Sequence, residues 1–192
     1  MKNLWSDTES DKFNDDLELR VYTSRLLGKD ASLVLHGGGN TSVKITETNL
    51  IGMKEEFVNR YKDEKIDKIA AIESRGFVIA APLAYLLNVG LILIRKPGKL
   101  PHKTIDQEYE LEYGTDRIEI HTDAINDGDK VLIVDDLIAT GGTAEATVKL
   151  VKKMHGEIVE CCFVIDLPDI GGRARLENIG QKVFTLCEFE GE

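Results

Sequence analysis

Short apolar runs alternate with segments of helical periodicity from about residue 55 onward. The apolar runs predict strands at DKIAAIE, LILIRK, DKVLIVDD, EIVECCFVIDL and VFTLCEF. The periodic segments predict helices at EEFVNRYKDEKI, FVIAAPLAYLLNVG and GGTAEATVKLVKKMHG. This alternation indicates an α/β fold with a mainly parallel central sheet flanked by helices. Ligands bind such sheets at the carboxyl ends of the strands, which selects the loops after Glu73, Arg95, Asp135 and Asp166.

Two segments depart from the alternation. Residues 97–121 are polar, with apolar alternation only toward their end, and predict a mobile loop or a β-hairpin. The first fifty residues begin with a helical stripe, followed by the glycine turn HGGGNTS between two short strands. Because so short a segment cannot bury a core alone, we expect an N-terminal appendage, residues 1–50, joined to one domain, residues 51–192.

Composition narrows the function classes. The 192 residues carry a formal net charge of −10, which argues against nucleic acids and acidic membranes as main partners. An anionic substrate stays compatible, because loops of an acidic protein can be locally positive. Three cysteines without metal-ligand spacing favour reduced thiols and a cytoplasmic location. No run approaches the roughly 18 apolar residues of a membrane-spanning helix.

The stretch VLIVDDLIATGGT, residues 131–143, places two chemistries close together. Asp135 and Asp136 stand at the end of a buried strand. Gly141 and Gly142 let backbone N–H groups approach a ligand, and the following helix N-terminus favours an anion. A ligand with a phosphate at one end, and hydroxyls with a metal ion at the other, satisfies both. The alternative is an Asp pair and glycine turn that only cap a helix. Walker A and dinucleotide-binding glycine motifs are both missing.

A basic turn follows the strand LILI. Arg95, Lys96 and Lys99 cluster there, with Gly98 and two prolines fixing the turn. In an acidic protein, three cations at the carboxyl end of a strand favour anion binding over a merely solvated turn.

The stretch VLIVDDLIATGGT resembles the phosphoribosyl-pyrophosphate (PRPP) signature of the type I phosphoribosyltransferases. IESRGFVIAAPLA, LIRKPGKLPHKTI and YELEYGTDRIEIH resemble, in order, segments of the adenine phosphoribosyltransferase family. The resemblance covers about residues 55–192 and implies the type I phosphoribosyltransferase fold. It also implies a homodimeric pentosyltransferase of purine salvage, which joins adenine to PRPP with Mg²⁺ and releases AMP and pyrophosphate. Neither nucleic acid nor membrane is an implied partner.

The resemblance implies a role for each matching residue. The 5′-phosphate would be bound by Ala139, Thr140, Gly141, Gly142 and Thr143. The ribose hydroxyls would be bound, directly or through Mg²⁺, by Asp135 and Asp136. Pyrophosphate would be bound by Glu73, Ser74, Arg95, Lys96 and Lys99. Adenine would contact Arg75, Phe77 and Leu167, although Phe77 is equally consistent with a core position.

The segment from Leu100 to Gly114 resembles the mobile lid of the family. A lid excludes the water that would hydrolyse an activated sugar. Glu112 matches the carboxylate proposed to handle the proton of the base. The alternative for this residue is plain solvent exposure, because the residue pattern alone does not distinguish it from Glu108 or Glu110.

The chain departs from the family at its N-terminus. Family members usually have a hood with an F-P-x-P-G-I stretch, whereas the first proline here is Pro82. Residues 1–46 instead resemble the start of class II aldolase/adducin-family proteins, and HGGGNTS resembles their phosphate-binding turn. The His-x-His of that family is missing, so a zinc aldolase is excluded. We expect a fusion near residues 46–56, in which Gly37–Gly39 are either vestigial or still able to bind phosphate.

Loss of the hood leaves two alternatives to an adenine phosphoribosyltransferase. One is a PRPP- or nucleotide-binding module without catalysis, and the other is a phosphoribosyltransferase with altered base specificity. The retained Glu112 and lid favour the enzyme.

Overall fold

The computed structural model describes residues 49–110 and 114–189, with side chains from residue 55 onward. Its elements in chain order are α1 (Asn49–Tyr61), β1 (Lys68–Ile72), α2 (Gly76–Leu87), β2 (Gly90–Ile94), β3 (Thr104–Glu110), β4 (Thr115–His121), β5 (Lys130–Ile138), α3 (Gly142–Lys153), β6 (Glu157–Asp166), a 3-10 turn (Pro168–Ile170), α4 (Gly172–Asn178) and β7 (Val183–Glu188). Five strands form a parallel sheet in the order β2–β1–β5–β6–β7. The predicted α/β fold is confirmed.

Two apolar layers enclose the central strands. Residues 131–134 of β5 are fully buried, as expected where helices cover both faces of a parallel sheet. One layer packs α1 and α2 on the sheet, through Phe57, Tyr61, Ala80 and Leu83. The other packs α3, α4 and the β3–β4 pair on it, through Val148, Leu150, Leu176, Ile118 and Ile120. The two layers therefore cover both faces of the sheet.

The polar segment before β5 forms a hairpin. Strands β3 and β4 pair antiparallel, with Tyr109 opposite Asp116 and Glu110 opposite Thr115 near the tip. An antiparallel bridge between Arg95 and Glu119 attaches β4 to the end of β2. Of the two predicted forms, loop or hairpin, the hairpin is therefore confirmed. Glu112 lies outside the described residues, as do the predicted helix and the HGGGNTS turn of the N-terminal appendage.

A partly buried ion-pair cluster fastens α1 to the sheet. Arg60 donates two hydrogen bonds of 2.8 Å to Glu160 of β6, and the Tyr61 hydroxyl donates a third at 2.6 Å. The Arg60 guanidinium also lies 4.0 Å from the ring centroid of Phe184 on β7. Burial disfavours the charged form of Glu160, yet the bonds from Arg60 and Tyr61 hold its pKa below the usual value. The carboxylate is therefore ionised and fully partnered.

Apolar side chains remain exposed along α2 and the edge strand β2. Val78, Tyr85 and Leu86 of α2 are exposed, Tyr85 to 84%. Leu91 and Leu93 of β2 are also exposed. They pair with Ile69 and Ala71, which pack in the layer of α2, so they share its face of the sheet. We call these five residues the edge patch. No helix in the described part of the chain is long and apolar enough to cross a membrane.

Candidate active site

The predicted aspartates lie where the parallel strands end. Asp135 and Asp136 belong to the last part of β5, next to the start of α2. A Cβ on Gly76 would lie 2.9 Å from the Val134 carbonyl oxygen and 3.0 Å from Asp135 Oδ1. Only glycine therefore permits this approach of α2 to the aspartates. Arg75 directly precedes it, and its Nε lies 2.5 Å from Asp136 Oδ2.

The two aspartates differ in environment. The pKa of the Asp135 carboxyl is raised to about 7, mainly by burial and to a smaller extent by the neighbouring Asp136 carboxylate. The backbone N–H of Asp136 donates to Asp135 Oδ1 at 2.8 Å, and this bond and the more distant Arg75 charge oppose the shift. A cation or several hydroxyl donors beside Asp135 would favour its ionised form. The carboxylate pair is thus suited to bind a polyhydroxyl ligand together with a metal ion.

The glycine turn after β5 is fixed by a second backbone contact. Gly141 has a φ of +74°, which favours glycine, and precedes the first turn of α3. A Cβ on Gly172, at the start of α4, would lie 2.3 Å from the Ala139 carbonyl oxygen and 2.9 Å from the Gly141 nitrogen. The turn therefore rests directly on the backbone of α4. Thr140 and Thr143 lie on either side of the two glycines of this turn.

The turn borders a small cavity of about 130 Å³, which it lines with Asp135 and Phe163. Arg175 Nη1 donates to the Thr140 carbonyl at 3.4 Å, and its Nε pairs with Glu145 of α3. Backbone N–H groups at the start of a helix favour phosphate. The predicted phosphate turn and one of the two predicted hydroxyl-binding aspartates, Asp135, therefore face one cavity.

Glu73 organises the basic turn. Its carboxylate accepts hydrogen bonds from Arg95 Nε at 3.2 Å, from the backbone nitrogen of Lys96 at 3.0 Å and from Lys99 Nζ. Burial disfavours its charge, but these three donors hold its pKa below the usual value. Ser74 is exposed beside it, and the peptide bond between them is cis. A carboxylate repels pyrophosphate, so this geometry fits Glu73 as the anion that arranges the cations.

Lys96 points toward the hairpin instead. Its Nζ donates to the Tyr109 hydroxyl at 2.7 Å and to the Asp116 carboxylate. The Lys96 contact lowers the pKa of Asp116, and burial only partly opposes it. The three cations were predicted to bind pyrophosphate together. In the structure, Arg95 and Lys99 pair with Glu73, whereas Lys96 pairs with Asp116.

The residues predicted for adenine are spread over two elements. Arg75 is exposed, whereas Phe77 is half-buried and packs against the apolar layer of α1 and α2. Leu167 follows β6, and its backbone N–H donates to the Ile138 carbonyl at 3.1 Å. Arg75 and Leu167 thus flank the end of β5, while the Phe77 packing is that of a core residue.

Sequence reasoning missed several residues that shape the site. Tyr109, Asp116, Glu145 and Arg175 gave no local signal, because their partners lie far along the chain. Asp166, at the carboxyl end of β6, is also buried and pairs with Arg173 at 2.6 Å. The position of the loop after Asp166, at the end of a strand, predicted that it could bind a ligand. The sequence pattern did not show that the ion pair of Asp166 with Arg173 holds this loop.

Comparison with known proteins assigns this geometry to a family. Residues 43–185 match the model of the phosphoribosyl transferase domain. An adenine phosphoribosyltransferase of Nitrosospira multiformis is 68% identical over 137 residues, covering 71% of this chain and 78% of the relative. The chain belongs to the adenine phosphoribosyltransferase family.

Solved structures of the family agree. The adenine phosphoribosyltransferase of Thermoanaerobacter pseudethanolicus is 44% identical, with a TM-score of 0.69 over 74% of this chain and 83% of that one. The enzyme from Trypanosoma brucei, solved with AMP, pyrophosphate and ribose-5-phosphate, is 30% identical. Its TM-score is 0.67, over 72% of this chain and 64% of that one. The predicted type I phosphoribosyltransferase fold is confirmed.

The raised pKa of Asp135 predicts a pH dependence of PRPP binding. Below about pH 7 the free protein holds a proton on this carboxyl, which binding of hydroxyls and Mg²⁺ must release. The affinity for PRPP with Mg²⁺ should therefore rise from about pH 6 to about pH 7.5 and then level off. Calorimetry in buffers of different ionisation enthalpy measures the proton released.

Asp135→Asn is the control, because PRPP itself also titrates. The variant should release fewer protons than the native protein at about pH 6.5. Equal proton release by the two proteins would show that Asp135 is already ionised before binding.

Proposed function

We propose that this chain is an adenine phosphoribosyltransferase of purine salvage, which forms AMP and pyrophosphate from adenine and PRPP. The observation that carries the proposal is the placement of the PRPP turn beside two strand-end aspartates in a chain 68% identical to a named adenine phosphoribosyltransferase. The reaction class is that of a pentosyltransferase, a group of the glycosyltransferases.

The proposed ribose phosphate site follows from the turn after β5. Backbone N–H groups of residues 139–143 bind the 5′-phosphate, aided by the hydroxyls of Thr140 and Thr143. Asp135 and Asp136 accept hydrogen bonds from the ribose hydroxyls. Arg75 pairs with Asp136 and balances its negative charge near an anionic substrate.

The donor set fits Mg²⁺ that arrives with PRPP. Mg²⁺ prefers oxygen ligands and is usually bound by one or two carboxylates together with substrate oxygens. Within residues 49–110 and 114–189, no group of three or more His, Cys, Asp or Glu side chains could hold a metal ion alone. Asp135 and Asp136 would complete a coordination shell that PRPP begins. When bound, the ion neutralises the developing charge of pyrophosphate.

The proposed pyrophosphate site is the basic turn after β2. Arg95, Lys96 and Lys99 supply the positive charge, and the exposed Ser74 supplies a hydroxyl and backbone atoms. Glu73 holds Arg95 and Lys99 in place before the substrate arrives. Pyrophosphate then leaves from a site whose cations are already oriented.

Adenine is proposed to lie between Arg75 and Leu167, with Phe77 supporting the wall of the pocket from the core. Glu112, which lies between β3 and β4 in the sequence, would handle the proton of the base once the lid excludes water. The anomeric carbon passes through a state with oxocarbenium character. The work of the protein is then mostly alignment of the two reactants and stabilisation of charge.

A PRPP-binding module without catalysis is the second candidate. The absence of the F-P-x-P-G-I hood favours it, since that stretch contacts the base in the family. The same absence would favour altered base specificity. Turnover distinguishes these alternatives, because only the enzyme consumes PRPP.

The purified protein should form AMP from adenine, PRPP and Mg²⁺, in preference to products from guanine, hypoxanthine or xanthine. Asp136→Asn should lower kcat/KM for PRPP by about a hundredfold or more, because it removes a charge-assisted acceptor beside the reacting sugar. Product analysis by chromatography measures both. The exposed Asp127→Asn is the matched control and should retain full activity.

The outcomes separate the candidates. PRPP binding without turnover of any of the four purines would establish the binding module instead. Turnover of another purine in preference to adenine would establish altered base specificity.

We also propose a homodimer, formed through the edge patch. Five exposed apolar side chains on adjoining elements are more than scattered surface residues, and such patches are typical of protein interfaces. The patch continues the layer that packs α2 on the sheet, so a second copy would extend an existing core.

Tyr85→Glu should convert the dimer to a monomer, because dimerisation would then bury a charge in the proposed interface. Sedimentation velocity measures the change. Phe189→Glu, on an exposed apolar residue after β7 at the opposite edge of the sheet, is the control and should stay dimeric. A native protein that sediments as a monomer would refute the proposal.

The three cysteines support a cytoplasmic location. Cys161 and Cys162 are buried in β6, and Cys187 is half-buried in β7, all three as free thiols. Burial raises the pKa of Cys161 to about 12, which keeps this thiol protonated and unreactive. We therefore propose that the protein works in a reducing compartment.

We infer that residues 1–46 are an aldolase-like fragment whose glycine turn takes no part in the reaction. The HGGGNTS sequence supports this origin, and the proposed phosphate turn after β5 already supplies an anion site. Gly38→Asp adds a negative charge to HGGGNTS and should leave kcat and the KM for PRPP unchanged in the AMP assay. A raised KM for PRPP would show that the turn still binds phosphate.

A further inference from the structure

Tyr109 and Asp116 belong to the hairpin and lie near both predicted anion sites, the basic turn after β2 and the phosphate turn after β5. They are direct cross-strand partners, one rung before the pair of Glu110 and Thr115. In the sequence, Glu112 lies between β3 and β4. A change at this rung therefore acts on the two strands that flank Glu112 along the chain.

One of these sites is the basic turn. Lys96 Nζ donates to the Tyr109 hydroxyl at 2.7 Å and to the Asp116 carboxylate, and it lies 5.3 Å from the centroid of the Tyr109 ring. The Tyr109 hydroxyl in turn donates to Asp116 at 3.2 Å. These three groups form a closed network, which we call the Lys96 network.

The other site is the phosphate turn. A Cβ on Gly142 would lie 3.5 Å from Tyr109 Cδ2 and 3.3 Å from the Glu110 carbonyl oxygen. The hairpin thus lies close to the first residue of α3, where an added Cβ would fit only tightly. Tyr109 contacts the turn with its ring and the basic loop with its hydroxyl.

Lys96 differs from the other cations of the basic turn. The Arg95 and Lys99 side chains pair with Glu73, whose carboxylate is largely buried. Lys96 and Asp116 are both about one-third exposed. An ion pair so accessible to water is weak, so a multiply charged anion competes well for its cation.

We propose that Asp116 is a positioning residue, which holds Lys96 against the hairpin until pyrophosphate takes its place. Exchange of Lys96 between the two anions links occupancy of the basic turn to the hairpin strands β3 and β4. Tyr109 guides the exchange, because its hydroxyl contacts both Lys96 and Asp116. The inference rests on the proposed function, since it requires pyrophosphate to bind at the basic turn.

Asp116→Asn tests the proposal by calorimetric titration with inorganic pyrophosphate. Removing the competing charge should tighten pyrophosphate binding about twofold to fivefold, the range expected for a partly exposed ion pair. In a Lys96→Met background the same substitution should change the affinity by less than about 1.5-fold, because the two residues act through one contact. A merely structural role predicts weaker binding instead.

Asp106→Asn is the matched control. Asp106 lies on the same hairpin and pairs with Arg117 at 3.9 Å, so its substitution removes an equal charge outside the Lys96 network. It should leave pyrophosphate affinity within about 1.5-fold of the native value. Amide hydrogen exchange of β3 and β4 provides a second measurement. Pyrophosphate should increase exchange in the native protein, and Asp116→Asn should show that increase without ligand.

Three results would overturn the proposal: unchanged or weaker pyrophosphate binding by Asp116→Asn, equal tightening in the Lys96→Met background, or equal tightening by Asp106→Asn. Should Asp116→Asn fail to fold, Tyr109→Phe replaces it. This variant keeps the ring on Gly142, removes one bond to Lys96 and should tighten binding in the same direction. A native protein that forms AMP but shows no Asp116 effect would refute only the exchange, whereas one that binds neither PRPP nor pyrophosphate would refute the proposed function.

Discussion

Two backbone contacts that leave no space for a Cβ determine the dimensions of the site. Gly76 brings the start of α2 against the end of β5, and Gly172 brings the start of α4 against the turn that follows β5. Interiors are packed too densely for such distances to adjust by more than a few tenths of an ångström. The aspartates, the phosphate turn and the loop after β6 therefore hold their relative positions through the main chain. The side chains add charge to a geometry that is already fixed.

Each cation of the site has a resident carboxylate. Glu73 pairs with Arg95 and Lys99, Asp116 with Lys96, and Asp136 with Arg75. An unpaired cation half-buried among backbone dipoles would be hydrated and poorly oriented. With these partners, the cations are ordered before a ligand arrives. No cation has to be desolvated without an anionic partner, which would be costly.

Local sequence patterns predicted the central strand and the two groups that follow it. The apolar run at residues 131–134 indicated a buried strand, and the aspartates and glycines that follow it indicated a carboxylate pair beside an anion turn. The role of Glu73 could not be predicted in this way, because it depends on cations more than twenty residues away. The Lys96 network depends on the register of a hairpin that polar residues specify only weakly. Gly172 had no local signature either, since its constraint comes from the turn at Gly141.

The attachment of α1 ties this helix to the sheet. Arg60 and Tyr61, in the last turn of α1, bind Glu160 of β6, the strand next to the edge strand β7. Phe57 of the same helix packs in the apolar layer on one face of the sheet. The contacts that fix the aspartates and the phosphate turn come from residues after this helix. A change of sequence upstream of Phe57 therefore leaves both the attachment and these contacts in place.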